Sequence, residues 1–342
     1  MALNLIIYYL IYKYKMRKQI INDLLKLPFN LIVDKYDYWI EGKVSYTFNT
    51  LSKIKHIRYL SDNDIVIHND YLSLYNLKTK KYKIFDDSND IEIVEILFDK
   101  RIITYGNRYL KIWDQNGLQR SLKINPICNI IVLKNNKVAL YGYGNTLIWD
   151  LDECFVELKK HNGAVLCVCL LQNDKLVTGS LDVTIKIWNF AGICESTLIG
   201  CERINNIHSW NNLIIGCTWD AIRIWDDKEC QKIITSYYIN KMIIYNDKAI
   251  CLDTYHQIKI WNLVTGICEV ELKDSYVGNI ILLPNNQLLG AAWTGNKIWD
   301  LTTYELIHRW NGYHQSKFTT VLSLSVDEKI VNAYENELVI WN

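Results

Sequence analysis

The chain has 342 residues, half of them apolar, and a formal net charge of +1. That length can bury a sizeable core, and a near-neutral balance of scattered charges leaves no basic stripe to draw the chain onto nucleic acid or a membrane surface. Three prolines and fifteen glycines mark no linker or disordered tail, so one architecture is expected to fill most of the length.

Residues 1–18 open with MALNLIIYYLIY followed by KYKMRK. The apolar run is too short to cross a bilayer as a helix, and a signal peptide would carry its positive charges ahead of the apolar stretch. The segment reads as a packing helix, or as leader sequence upstream of a start at Met16, with a membrane anchor as the alternative. Residues 19–43 suit two short helices, with Pro28 in the first turn of the second and Phe29, Ile32, Val33 and Tyr36 at helical spacing. Val44 to Phe48 (VSYTF) then alternates as a strand does.

From residue 44 onward a repeat governs the chain, and a repeat decides a fold before any local motif does. Ile-Trp followed by Asp or Asn occurs at Trp113, Trp149, Trp188, Trp225, Trp261, Trp299 and Trp341, with a weaker copy at Leu74-Tyr75-Asn76, at intervals of about 36 to 42 residues. Each interval holds four short strands and their turns. In the unit around Trp188, Ala164 to Leu171 is nearly continuous apolar sequence. Lys175 to Gly179 and Val183 to Trp188 alternate around a Ser-Leu-Asp turn, and Ile193 to Leu198 is more polar. This order predicts an innermost strand that is buried and an outermost one in water, as in sheets standing radially around an axis.

The repeated I-W-[DN], together with Thr265 to Glu269 (TGICE) and Lys160 to Val165 (KHNGAV), resembles the WD40-repeat β-propeller family over residues 44–342. The resemblance implies an all-β propeller of eight blades, or seven if the Leu72 to Tyr75 unit stands outside the ring. Asn342 directly follows a third strand, so Val44 to Phe48 is expected to pair with the strand ending at Trp341 and close the ring. In that family a His, a Ser or Thr, an Asp and the Trp of one blade form a hydrogen-bonded chain. His161, Thr178, Asp182 and Trp188 match all four positions, whereas the last unit keeps His314 and Trp341 but has Asn332 with Glu335 or Asn336 in place of the others.

A His paired with a carboxylate is also general-base chemistry. Here the pair sits where the repeat supplies it for architecture, no activated nucleophile stands at a recognisable spacing, and no phosphate-binding, zinc-protease or nucleophile-elbow motif occurs. The expectation is a non-enzyme with no cofactor and no metal. The ten cysteines fall largely in phase with the repeat and include no Cys-x-x-Cys pair, which predicts small core residues rather than zinc ligands or a disulfide framework. The absence of any Asn-x-Ser/Thr acceptor fits a cytoplasmic protein.

A gapless alignment on the repeat aromatic places Asn69, Asn107, Tyr143, Asp182, Trp219, Tyr255, Trp293 and Glu335 in the turns between second and third strands. Four aromatics stand where the family has its Asp. Two readings stay open: the rings fill space between blades, or Tyr143, Trp219, Tyr255 and Trp293, with Arg108 and His256 one residue later in their units, form an interface. The expected function is a scaffold, a monomer within a larger complex, that binds a protein or peptide there. The alternative is a substrate receptor of a ubiquitin ligase. Leu27-Pro28 and the apolar helix after it resemble the start of an F-box, which would reach a Skp1-type adaptor through residues 19–41. The other reading of that segment is a helical plug covering the propeller's edge or bottom. No tryptophan of the repeat is followed by the Asp-x-Arg typical of cullin-4 receptors.

Overall fold

A computed structural model describes residues 44–49, 54–61, 63–86, 90–143, 146–151, 155–199, 203–218, 220–236, 238–273, 275–283, 286–292, 295–309, 321–324, 330–334 and 337–341. These form eight four-stranded antiparallel sheets. Two compact units contain them, one drawn from residues 1–89 and 316–342 and the other from residues 90–315.

The first unit holds the sheet of residues 56–86 and the sheet of residues 321–341. Leu72–Asn76, the weakest copy of the repeat, is the third strand of the former. The latter takes its fourth strand from far away in sequence: Val44–Asn49 runs antiparallel to Glu337–Trp341, with Val44 opposite Trp341 and Asn49 opposite Glu337. An outer edge that would otherwise be open is thereby covered.

The second unit holds six sheets, numbered here second to seventh: residues 93–123, 129–158, 165–198, 206–235, 239–271 and 279–309. Apolar clusters lie between consecutive sheets; one joins Ile103 and Ile112 of the second sheet to Leu140 and Trp149 of the third, and another joins Val177 and Ile187 of the fourth to Ile207 and Trp225 of the fifth. Burial does not decline steadily from the first strand outward, as the sequence reading expected. In the fourth sheet Leu176–Ser180 and Ile185–Trp188 are wholly buried, whereas Val165–Leu170 is half-exposed at Leu166, Cys169 and Leu170, and Cys194–Leu198 alternates. The two middle strands have a strand on either side and a neighbouring sheet on either face, and the first strand has one strand neighbour only.

The recurring Asp or Asn after each tryptophan has a local cause. Its side-chain oxygen accepts backbone N–H groups from the turn into the fourth strand: Asn189 from Ala191 and Ile193 at 3.0 Å each, Asp226 from Lys228 at 2.7 Å and Glu229 at 2.8 Å, Asn262 from Val264 at 3.0 Å and Thr265 at 2.9 Å. Either residue type can accept, so the repeat tolerates both. Asn189→Ala should therefore cost about 1 kcal/mol in urea unfolding, and Asn189→Asp nearly nothing. Equal losses for the two variants would show that the turn does not depend on this acceptor.

A second device recurs where the outer strand of one sheet meets that same turn in the next. Arg120 donates to the Leu151 carbonyl at 3.0 Å, Ser196 to the Asp227 carbonyl at 2.7 Å, and Lys232 to the Leu263 carbonyl at 3.3 Å and to that of Val264. Between the sixth and seventh sheets the direction reverses: Tyr304 donates at 2.6 Å to Glu269, a carboxylate that also pairs with Lys248 of its own sheet at 2.8 Å. Between the third and fourth sheets the contact is apolar, with Val156 packed against Gly192.

Most of the cysteines follow the expected pattern, and two correct it. Cys167, Cys217 and Cys251 are buried, Cys169, Cys194 and Cys268 half-buried, but Cys128 and Cys230 are exposed. Cys230 pairs with Trp225 at a β-bulge that opens the outer strand, and an outer strand has no further strand to cover it.

Candidate functional site

The four residues singled out in the fourth sheet form one chain of hydrogen bonds. Trp188 Nε1–H donates to Thr178 Oγ1 at 2.8 Å, Thr178 Oγ1 lies 2.7 Å from His161 Nε2, and His161 Nδ1 lies 2.8 Å from Asp182 Oδ2. A carboxylate only accepts, so Nδ1 carries the proton and Nε2 takes the Thr178 hydroxyl proton. Both ring nitrogens are thus engaged, which leaves neither for a substrate. Asp182 also accepts from the backbone N–H of Asn162 at 2.8 Å and from Thr184 at 2.6 Å. Burial raises the Asp182 carboxyl, but hydrogen bonds from Thr184, His161 and Asn162 outweigh it and hold the group at about 2. Burial of the imidazole keeps His161 below its ordinary value, although Asp182 pulls the other way.

The other sheets solve the same position differently. In the second, Trp113 Nε1–H donates to Thr104 at 2.9 Å, and Asn107 and Arg108 form a two-residue turn with φ of 50° and 66°. In the fifth and seventh sheets a glycine stands in place of Thr178; a Cβ on Gly216 would come within 2.9 Å of Trp225 and one on Gly290 within 2.7 Å of Trp299, so the indole itself fills the space.

Alignment on the repeat tryptophan misses one pair. Gly216 is opposite Arg223, whereas Thr178 is opposite Lys186, so the turn of the fifth sheet is one residue shorter. Asp220 then meets Arg223 through both guanidinium nitrogens, at 3.0 and 3.2 Å, with Thr218 hydrogen-bonded to the carboxylate. This Arg-Asp pair stands where the fourth sheet has His-Asp. The signal in the sequence was the Thr-x-Asp-x-x-Arg spacing, which a gapless comparison cannot weigh.

In the sixth sheet Tyr255 does occupy the place of Asp182: Cys251 is opposite Lys259, the same turn length as in the fourth. Asp253 caps this turn by accepting the N–H groups of Tyr255 at 2.8 Å and Gln257 at 3.0 Å. Tyr255 points outward, 63% exposed, and Tyr143 of the third sheet is 79% exposed. His256 is half-buried, with a left-handed φ of 68°, and its Nδ1 lies 3.0 Å from the Val277 carbonyl. Arg108 is exposed. Trp219 and Trp293 lie outside the described residues, as do residues 1–18 and the F-box-like segment 19–41.

Around Tyr255 and His256 are two rings that the repeat alignment did not flag. Tyr238 meets Tyr255 edge-on at 5.7 Å, and Tyr276, 69% exposed, meets His256 at 5.3 Å. A cleft of about 380 Å³ beside them is lined by Gln257, Glu271, Leu272, Lys273, Ser275 and Tyr276. Tyr238 and Tyr276 lie in the segments leading into first strands, which end up beside the turns between second and third strands because antiparallel strands alternate in direction. Backbone bonds tie these places together: Thr254 N–H to the Tyr238 carbonyl at 2.9 Å and Val277 N–H to the His256 carbonyl at 3.1 Å. Among the described residues, the exposed tyrosines Tyr109, Tyr143, Tyr238, Tyr255 and Tyr276 all lie at this one end of the second unit's sheets. No group of three or more potential metal ligands occurs among the described residues, and no described helix is long and apolar enough to cross a membrane.

The fold defines the class: an all-β propeller. No family model matches the chain. It is similar to the human kinesin-like protein KIF21A, 27% identical over 183 residues that cover 52% of this chain and 10% of that protein. Protein tipD of Dictyostelium discoideum is 27% identical over 134 residues, 35% of this chain and 22% of that one. U3 small nucleolar RNA-associated protein 12 of Saccharomyces cerevisiae is 26% identical over 183 residues, 48% of this chain and 19% of that one. The chain therefore matches between a tenth and about a fifth of the length of these relatives. Among solved structures, the computationally designed Ika8 protein matches with a TM-score of 0.72 and 18% identity over 88% of this chain and 98% of its own. The WD40 β-propeller domain of Doa1 matches with a TM-score of 0.58 and 14% identity over 89% and 97%. At that identity the likeness concerns the fold alone.

Proposed function

We propose that the chain is a non-enzymatic interaction scaffold that binds a protein or peptide on the tyrosine-bearing end of its second unit. The observation that carries this reading is the concentration of exposed tyrosines at one end, with Tyr238, Tyr255, His256 and Tyr276 held in fixed ring contacts rather than tucked into the core. Tyrosine offers a large contact area at a small cost in rotamer entropy and is enriched among interface residues that dominate affinity. The engagement of both His161 nitrogens, and the use of Asp182 as an acceptor for the turn around it, support architecture over catalysis for that pair. A fold alone does not name a function, so the partner has to come from experiment.

The test is a chain carrying Tyr143→Ala, Tyr238→Ala and Tyr255→Ala. Partners recovered with the unaltered chain would be purified and titrated against both. Loss of at least about tenfold in affinity, with unfolding changed by no more than about 0.5 kcal/mol per site, is the expected result. Undiminished binding, or lost binding that merely tracks lost stability, would reject the proposed face.

A further inference from the structure

The sequence contains three Asn-Gly pairs, at Asn116, Asn162 and Asn311, the last outside the described residues. Asn-Gly is the dipeptide most open to an internal reaction, because the glycine nitrogen has no side chain beside it to hinder approach to the asparagine carboxamide. The two described pairs differ sharply in what holds them. Asp114 Oδ1 accepts the backbone N–H of Asn116 at 2.6 Å and that of Gly117 at 3.1 Å, so the attacking nitrogen of that pair is committed to a carboxylate. Asn162 is exposed, and among the described residues neither its carboxamide nor the Gly163 N–H makes a hydrogen bond. Its own backbone N–H is the one that reaches Asp182 Oδ2, at 2.8 Å.

We infer that Asn162 is a site of spontaneous conversion to aspartate and isoaspartate, and that conversion loosens the hydrogen-bonded chain of the fourth sheet. The Gly163 nitrogen attacks the Asn162 side-chain carbonyl carbon and loses its proton to solvent. The bond from that carbon to the amide nitrogen breaks and ammonia leaves. The resulting cyclic imide is opened by one water at either carbonyl, giving the aspartyl or the isoaspartyl chain. No oxidant, reductant or cofactor enters. The isoaspartyl product routes the backbone through one extra carbon between His161 and Gly163, displacing the Asn162 N–H from Asp182. Either product adds a carboxylate next in sequence to His161, whose partner Asp182 is already ionised. The blade with the complete set of four residues is thus the one that carries a slow, irreversible change in charge and backbone length.

The full-length chain, held folded at mildly alkaline pH and mapped by peptide mass and isoaspartate labelling, tests this. Asn162 is expected to convert about tenfold faster than Asn116, the factor that one charge-assisted hydrogen bond to Gly117 corresponds to, and the two rates should converge in urea. The converted fraction should melt below the fresh chain, while Asn162→Gln, which keeps the backbone N–H, should hold its melting temperature through the same incubation. Conversion of Asn116 at an equal or greater rate in the folded chain would overturn the site assignment. Converted protein that melts with the fresh chain would overturn the effect on the fourth sheet.

Discussion

Replacing Trp188 with alanine is expected to lower the unfolding free energy by about 3–5 kcal/mol. The indole is fully buried, packs with Leu176 and Val168 of its own sheet in the cluster shared with the third sheet, and carries the first hydrogen bond of the chain that ends at Asp182. Packing and hydrogen bonding can be separated by comparing two phenylalanine variants. Trp149 is equally buried, but its Nε1–H has no partner among the described residues, since Leu140 stands where Thr178 does in the fourth sheet. Trp149→Phe therefore removes an unsatisfied donor, and Trp188→Phe removes a satisfied one. The second should be the more destabilised by about 1–2 kcal/mol in urea unfolding. Equal losses would mean that the hydrogen-bonded chain contributes nothing beyond the volume it fills.

Stability should fall in two steps as pH is lowered. The folded His161 resists protonation relative to its ordinary value of 6.5, so the unfolded chain takes up that proton first. The contribution is complete above about pH 6.5 and is lost below it, when a protonated Nε2 can no longer accept from Thr178. Asp182 behaves in the same sense at lower pH: its folded value of about 2 against an ordinary 3.8 gives stability that is present above pH 4 and lost on approach to pH 2. For a carboxylate this well covered, the shift corresponds to about 2 kcal/mol. Glu269, held at about 2 by hydrogen bonds from Lys248, Tyr304 and Asn262, loses over the same range the charge that strengthens its hydrogen bond from Tyr304 of the seventh sheet. Urea midpoints at neutral, mildly acidic and strongly acidic pH would show both steps. His161→Ala should flatten the first and Asp182→Asn the second, and a slope unchanged in both variants would refute the linkage.

The residues that were legible in advance are those fixed by the repeat itself. The tryptophan must be buried and the Asp or Asn after it must cap a turn, so both recur at one phase whatever their neighbours. Trp188 and Asn189 could be placed from spacing, because strand alternation and turn length fix their phase, whereas His161, Thr178 and Asp182 are placed by the resemblance to the WD40 family, matched residue by residue.

Residues whose role depends on the next sheet follow no phase. Tyr238 and Tyr276 lie in lead-in segments of variable length; Tyr238 meets Tyr255 within the sixth sheet, whereas Tyr276 comes beside His256 only when the seventh sheet packs against the sixth. Arg223 takes over from a histidine because one turn is a residue shorter, a change invisible to alignment without gaps. Cys230 shares its phase with half-buried Cys194 and Cys268 yet is exposed. By itself the sequence determined the strand order within each sheet and the buried tryptophans, since these rest on local periodicity; the hydrogen-bonded chain of the fourth sheet was legible through the family resemblance that its four residues carry. Tertiary structure alone decided the clasps between sheets and the exposed tyrosine end, since those rest on which side chains non-repeating neighbours bring within reach.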